Sequence, residues 1–380
     1  MGKSFMLSVS TQVAMLRRRL FAYHLANTKW VNELAFYALA LVVSFYYSQL
    51  RFGVVGVIPE ASPYSLMAGT AQLPLQYRVL VPWCANLILG TLDLLPSLPE
   101  VSPESIFQYI ELISLLLLVV SFRYLVSLFF SNRLFVSVLS FSVFYPLLFH
   151  YVLWRAANPF TYLQWFAWDI PSVMFITMGI TLLYKKKWLS YYILFLLATF
   201  NRETTCFLTF IYLFAEFGKS KPKVIALHCF LQLVIWTAVK YFLFRLYLGN
   251  LVEGGSDYFS RGLFFAAEYY DGRNLATVTN IRLYPFLFGV IGYLWVPVVL
   301  SLRMIRDSFV KRSLLVIVPF YVGMFYVGSM TELRNYGELI PIVLLAFLLI
   351  LREWLEREPY EIEHVSETGL RVSANNNLGR

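Results

Sequence analysis

Residues 185–223 read KKKWLSYYILFLLATFNRETTCFLTFIYLFAEFGKSKPK. An apolar stretch from Trp188 to Phe217 lies between Lys185-Lys186-Lys187 on one side and Lys219, Lys221 and Lys223 on the other. About 20 apolar residues suffice to cross the hydrocarbon core as a helix. Short loops rich in Lys and Arg stay on the cytoplasmic side, so a single crossing would strand one lysine cluster outside. Two short helices, broken near Asn201-Arg202-Glu203, keep both clusters inside. Each half is then under about 17 residues, too short to reach the far surface comfortably. Polar backbone inside a membrane persists only where it lines a protein cavity, so the break places Arg202 and Glu203 in such a cavity.

The rest of the chain has the same character. It is 59% hydrophobic, 18% aromatic and 14% charged over 380 residues, with a mean hydropathy of +0.65. The apolar runs are continuous rather than alternating, so they read as helices and not as barrel strands. The net charge of +9 would suggest nucleic acid in a soluble protein. Here the positive-inside rule accounts for it, and nucleic acid is not an expected partner. Cys84, Cys206 and Cys229 have neither metal-ligand nor disulfide spacing and read as buried structural thiols. Arg17-Arg18-Arg19 follows the first weakly apolar stretch, the reverse of a cleavable signal peptide. There is no Asn-x-Ser/Thr sequon.

Threading from the basic clusters gives an all-α polytopic bundle of about ten membrane helices plus interfacial helices in the first outer loop. Residues 1–29 form a cytoplasmic or interfacial segment, 30–351 the transmembrane domain, and 352–380 a polar cytoplasmic tail. The spans are expected at Trp30–Gln49, Ile106–Phe130, Leu134–Val152, Trp165–Tyr184, the two halves of Trp188–Phe217, Val224–Tyr247, Ile281–Leu302, Leu314–Tyr326 and Leu339–Leu351. Outer loops cover 51–105 and 249–280. Val79–Leu95 is apolar enough to cross but contains Pro82 and Asp93. A crossing there would put the lysine clusters outside, so an interfacial helix is preferred.

This threading gathers polar motifs at one face: Gln76-Tyr77-Arg78, Asp169, Asn201-Arg202-Glu203-Thr204 and Glu332-Leu333-Arg334. An arginine within apolar sequence is costly and is either functional or paired. Arg202 has a fixed fork of donors suited to phosphate oxygens. Its bland alternative is a local pair with Glu203 or Asp169. Arg334 follows Glu332 at i+2, so on a helix the two would diverge and Arg334 would snorkel to the interface. Arg78 and Tyr77 could instead anchor an interfacial helix in the aromatic belt. Asp169 could cap the helix that opens Trp168-Asp169-Ile170-Pro171. Glu60 is the acid of the loop after the first span, and His150 reads as an interfacial residue at the end of the third.

At these residues the chain resembles the GT-C superfamily of polytopic glycosyltransferases, which take sugars from polyprenyl-phosphate carriers. The likeness rests on a single span followed by a long outer loop with Tyr77-Arg78-x-Leu80-x-Pro82 and interfacial helices. It continues in the Asp169 helix ending in basic residues, the lysine-flanked hairpin with its Asn201-Arg202-Glu203-Thr204 tip, and Glu332-x-Arg334 before Pro341. Such enzymes usually carry an acid early in the first outer loop, where this chain has Tyr46-Tyr47-Ser48-Gln49-Leu50-Arg51. The resemblance therefore implies Glu60 or Asp169 as base, and Arg78, Arg202, Arg334, Tyr77, Glu203 and Glu332 as substrate and phosphate contacts. It implies a polyprenyl-phosphate-linked sugar donor, a glycan, lipid or protein acceptor, contact with membrane lipids, and a multi-pass place in a bacterial inner or plasma membrane. No metal ligands or certain cofactor are assigned, although a divalent metal is compatible with the chemistry. The alternatives are a transporter or flippase of a lipid-linked or anionic solute, and a glycan polymerase or ligase.

Overall fold

The computed structural model describes residues 30–57, 59–94, 100–153, 165–250, 273–328, 330 and 332–356. These residues are predominantly helical and contain no strand. In chain order the helices are α1 (Trp30–Val54), α2 (Pro63–Ala68), α3 (Leu80–Leu92), α4 (Pro103–Ser127), α5 (Arg133–Leu153), α6 (Asp169–Tyr184), α7 (Trp188–Asn201), α8 (Phe207–Glu216), α9 (Pro222–Leu246), α10 (Arg273–Thr279), α11 (Ser308–Tyr326) and α12 (340–356). Between α10 and α11 the chain runs through short helical turns, including Tyr284–Phe288 and Trp295–Leu300.

Local chemistry sets the boundaries. Ser102 caps α4 by accepting from the Ser105 N–H, with Pro103 in the first turn. Asn132 caps α5 through the Phe135 N–H, and Asp307 caps α11 through the Val310 N–H. Gly218 turns the chain after α8 at φ +72°, a conformation glycine adopts without steric cost.

Five helices (α1, α4, α5, α9 and α11) are long and apolar enough to cross a membrane, and α3, α6 and α7 are shorter apolar helices. The observed ends extend several of the expected spans: the first runs on to Val54, and the late ones start at Ser308 and end at 356. Helix α3 spans 13 residues, about 20 Å at the α-helical rise. That falls short of the roughly 30 Å hydrocarbon core, as do α6 and α7. Helix α12 is buried along 340–346 and apolar around its circumference, so it sits at the centre of the bundle. Helices α1 and α9 are the most peripheral, with 28% and 17% of their apolar windows buried.

The stretch quoted above folds as a hairpin. Helix α7 ends at Asn201, and Arg202 is extended (φ −159°, ψ 143°). A 3-10 turn, Glu203–Cys206, then leads into α8. Trp188 at the start of α7 packs edge-on against Tyr212 near the end of α8 at 5.5 Å between ring centroids.

The helices run between two ends. At one end Lys186 pairs with Glu216, Arg306 with Glu353 and Arg123 with Glu33, while Lys185 bonds Tyr124 and the Tyr184 hydroxyl donates to Asp307. This end collects the basic clusters. At the other end Arg51, Glu111, Asp169, Arg202 and Glu338 meet.

Between α10 and α11 the chain is strained. Ile291 and Tyr293 have positive φ, which costs a β-branched or bulky residue energy. His150 accepts the Ile291 N–H at 2.8 Å, and the Tyr145 hydroxyl donates to the Gly292 carbonyl at 2.9 Å. His150 is therefore fully buried and structural, not interfacial. Cys84 is exposed rather than buried, because it lies on the outward face of α3.

Candidate functional site

The site is built from chain breaks and helix ends. Asp169 is the first residue of α6 and makes no capping bond; Trp168 precedes it with helical dihedrals. The carboxylate instead turns inward and is fully enclosed. Its Oδ2 accepts from Arg51 Nη2 at 3.0 Å. Its Oδ1 faces Arg202 Nη1 at 3.6 Å and Arg334 Nη1 at 3.9 Å.

Arg51, at the end of α1, also donates to Glu111 Oε2 at 2.6 Å, and Trp165 Nε1 donates to the same oxygen at 2.7 Å. Arg202 lies 3.0 Å from Glu338 Oε1 and donates to Asn335 Oδ1 at 3.0 Å. Thr204 Oγ1 donates to Glu338 at 2.7 Å. Helical continuation would aim Arg202 and Glu203 about 100° apart around the axis. The extended residue at the break instead sends Arg202 into the core and leaves Glu203 for Arg78. The local Arg202–Glu203 pair is thus not made. Asn201 fixes the break to α6 by donating to the Trp168 carbonyl and to Ser172 Oγ.

A second layer lies nearer the surface. Arg78 Nη2 donates to Glu203 Oε1 at 2.7 Å and Nε to Oε2 at 3.3 Å, a two-point contact. Lys240, from α9, is 3.9 Å from Glu203 Oε2 and 5.2 Å from the centre of the Tyr77 ring. Gln76 braces this loop by donating to the Leu66 carbonyl and accepting from the Ala71 N–H.

Arg334 donates to Glu332 Oε2 at 2.7 Å. The i+2 separation expected to hold them apart is bridged because Glu332 is extended (φ −86°, ψ 91°) ahead of the 3-10 turn Leu333–Leu339. Arg334 also stacks on Phe166 at 3.9 Å and Arg78 on Trp168 at 4.6 Å, with Phe166 and Trp168 against each other. Trp168 is fully buried, so it supports the arginine rather than offering a face to a ligand.

Formal charges balance across this cluster. Arg51, Arg78, Arg202, Lys240 and Arg334 face Glu111, Asp169, Glu203, Glu332 and Glu338. Only Glu203 and Glu332 among these carboxylates keep appreciable exposure, 33% and 30%. Glu60 lies in the turn Pro59–Ala61, and its side chain is outside the described residues. Most of the second outer loop, 251–272, also lies outside them. Among the described residues no group of three or more His, Cys, Asp or Glu side chains is placed to hold a metal. A cleft of about 170 Å³ between Phe130, Phe135, Leu139 and Leu348 lies at the opposite, basic end.

Sequence reading missed Arg51, Glu111, Lys240 and Glu338. A signal existed for three of them. Glu111 and Lys240 are charges inside apolar runs, and Glu338 directly precedes one. Arg51 looked like the start of a loop because its helix continues past the expected end.

No protein-family model, curated protein or solved structure matches this chain.

Proposed function

We propose that this chain is an integral membrane glycosyltransferase that moves a sugar from a polyprenyl-phosphate carrier to an acceptor at the face bearing the ionic cluster. In this reading ten segments lie in the membrane: α1, α4 to α6, the two halves of the α7–α8 hairpin, which enters and returns without reaching the far surface, α9, the short turns between α10 and α11, α11 and α12. The lysine clusters face the cytoplasm. The observation that carries the reading is convergence. Arg78, Asp169, the Arg202-Glu203 break and the Glu332–Arg334 turn are four separate segments, and their side chains meet at one end.

In the reaction, the acceptor hydroxyl oxygen attacks the anomeric carbon while the bond from that carbon to the phosphate oxygen breaks. Polyprenyl phosphate leaves with the electron pair, and its charge is met by arginines. A carboxylate takes the hydroxyl proton. Asp169 is enclosed by three arginines and does not reach an acceptor, so its part is to hold Arg202 and Arg334 in place. The base is then Glu332, whose side chain keeps 30% exposure, or Glu60 of the first outer loop.

The transporter reading draws on one specific feature, the interrupted helices at Arg202 and at Ile291, since transporters build their sites from discontinuous helices. The test incubates purified protein in nanodiscs with a panel of labelled polyprenyl-phosphate sugars and membrane glycans. Release of polyprenyl phosphate together with label on an acceptor is expected. Absence of donor binding and turnover, combined with solute uptake into proteoliposomes, would replace the transferase by the transporter.

A further inference from the structure

We infer that the Glu203 carboxylate is a placeholder for a phosphoryl group, occupying a seat formed by Arg78 and Lys240 that opens only when Glu203 swings out. This deepens the donor-binding reading above and rests on it. A charge-balanced cluster offers an incoming anion no unpaired cation, so binding requires one carboxylate to give way. Glu111, Asp169 and Glu338 are at most 2% exposed and cannot leave without stranding buried arginines. Glu332 is exposed, but its close cationic contact is Arg334 alone. Glu203 is one-third exposed and is held by two cations, so its departure frees both.

The geometry suits the exchange. Arg78 grips the two carboxylate oxygens from Nη2 and Nε, the fork contact that phosphate oxygens also accept. Lys240 stands at 3.9 Å, a looser distance that a larger tetrahedral anion would close. The backbone need not move. The Glu203 carbonyl is anchored by Trp236 Nε1 at 2.9 Å, so only the side chain turns. Lys240 thereby gains a role that its place in a lipid-facing helix does not explain.

The test measures binding of a polyprenyl monophosphate in nanodiscs and, separately, of inorganic phosphate. Removing the competing charge in Glu203→Gln should tighten polyprenyl monophosphate binding by about tenfold, and Lys240→Met should loosen it by a similar factor. The double variant should return near wild type. Glu203→Asp, which keeps the charge but shortens its reach, should give a smaller gain and guards against a folding defect in Glu203→Gln. Unchanged or weaker binding in both Glu203 variants overturns the placeholder, even where wild type binds and turns over donor. No binding by wild type or any variant removes the donor reading with it. A gain for inorganic phosphate alone keeps the placeholder but overturns its part in donor binding.

Discussion

Lys186 Nζ lies 3.3 Å from Glu216 Oε2, which joins the base of α7 to the base of α8. The pair closes the hairpin at the lysine end, with the Arg202 break at its far tip. Lys186 is itself at positive φ, as the tight entry into α7 requires.

The first prediction follows from that closure. In a cysteine-free background, Lys186→Cys should resist an impermeant thiol reagent added from outside, and Glu332→Cys should react with it. Both side chains are exposed enough to label, at 58% and 30%. Outside labelling of the Lys186 position, or equal labelling of both, would reject the threading drawn from the lysine clusters.

A second prediction concerns Arg202, which is 97% enclosed and faces two carboxylates. Arg202→Ala should destabilise the fold by about 3–5 kcal/mol, because it leaves Glu338 and Asp169 buried with less compensation. Combined with Glu338→Gln, Arg202→Ala should cost less than the sum of the two single changes. Thermal unfolding of the four proteins in one detergent reads the coupling. Additive losses would show that the Arg202–Glu338 contact contributes nothing of its own.

The third concerns packing under the same turn. A Cβ on Gly337 would collide with the Tyr151 hydroxyl and meet Val173 Cγ2 at 3.3 Å. Gly337→Ala should therefore cost about 1–3 kcal/mol by overpacking. It should also weaken donor binding, since Glu338 and Asn335 on this turn position Arg202. An unchanged melting temperature would mean that Tyr151 yields freely.

The carboxylates separate by burial. Asp169→Asn should lower both thermal stability and turnover, because three arginines lose a shared counter-charge. Glu332→Gln, at a part-exposed carboxylate, should leave the melting temperature within about 1 °C of wild type, and Glu60→Gln is its companion variant. One of these two should remove turnover while donor binding survives. If both retain full turnover, the base is neither.

Hydropathy and lysine placement made much of the architecture legible. The apolar runs located most of the helices, although the expected span Ile281–Leu302 folds as short turns; Asn201-Arg202 marked the hairpin break, and the Lys/Arg clusters set Val79–Leu95 apart from the spans. These are local properties: a helix forms where consecutive residues are apolar, and it breaks where they are not. The partners of the polar groups are not local. Arg51 finds Glu111 and Asp169, Arg202 finds Glu338, and Arg78 finds Glu203 across separations of 60 residues or more. Single-sequence patterns carry no record of such pairs. The sequence by itself therefore determined which charges sit amid apolar chain and must be satisfied. Tertiary structure alone decided the pairing, because enclosing Asp169 among three arginines and leaving Glu203 at the surface depends on how α1, α4, α6, α9 and the turn before α12 pack against one another.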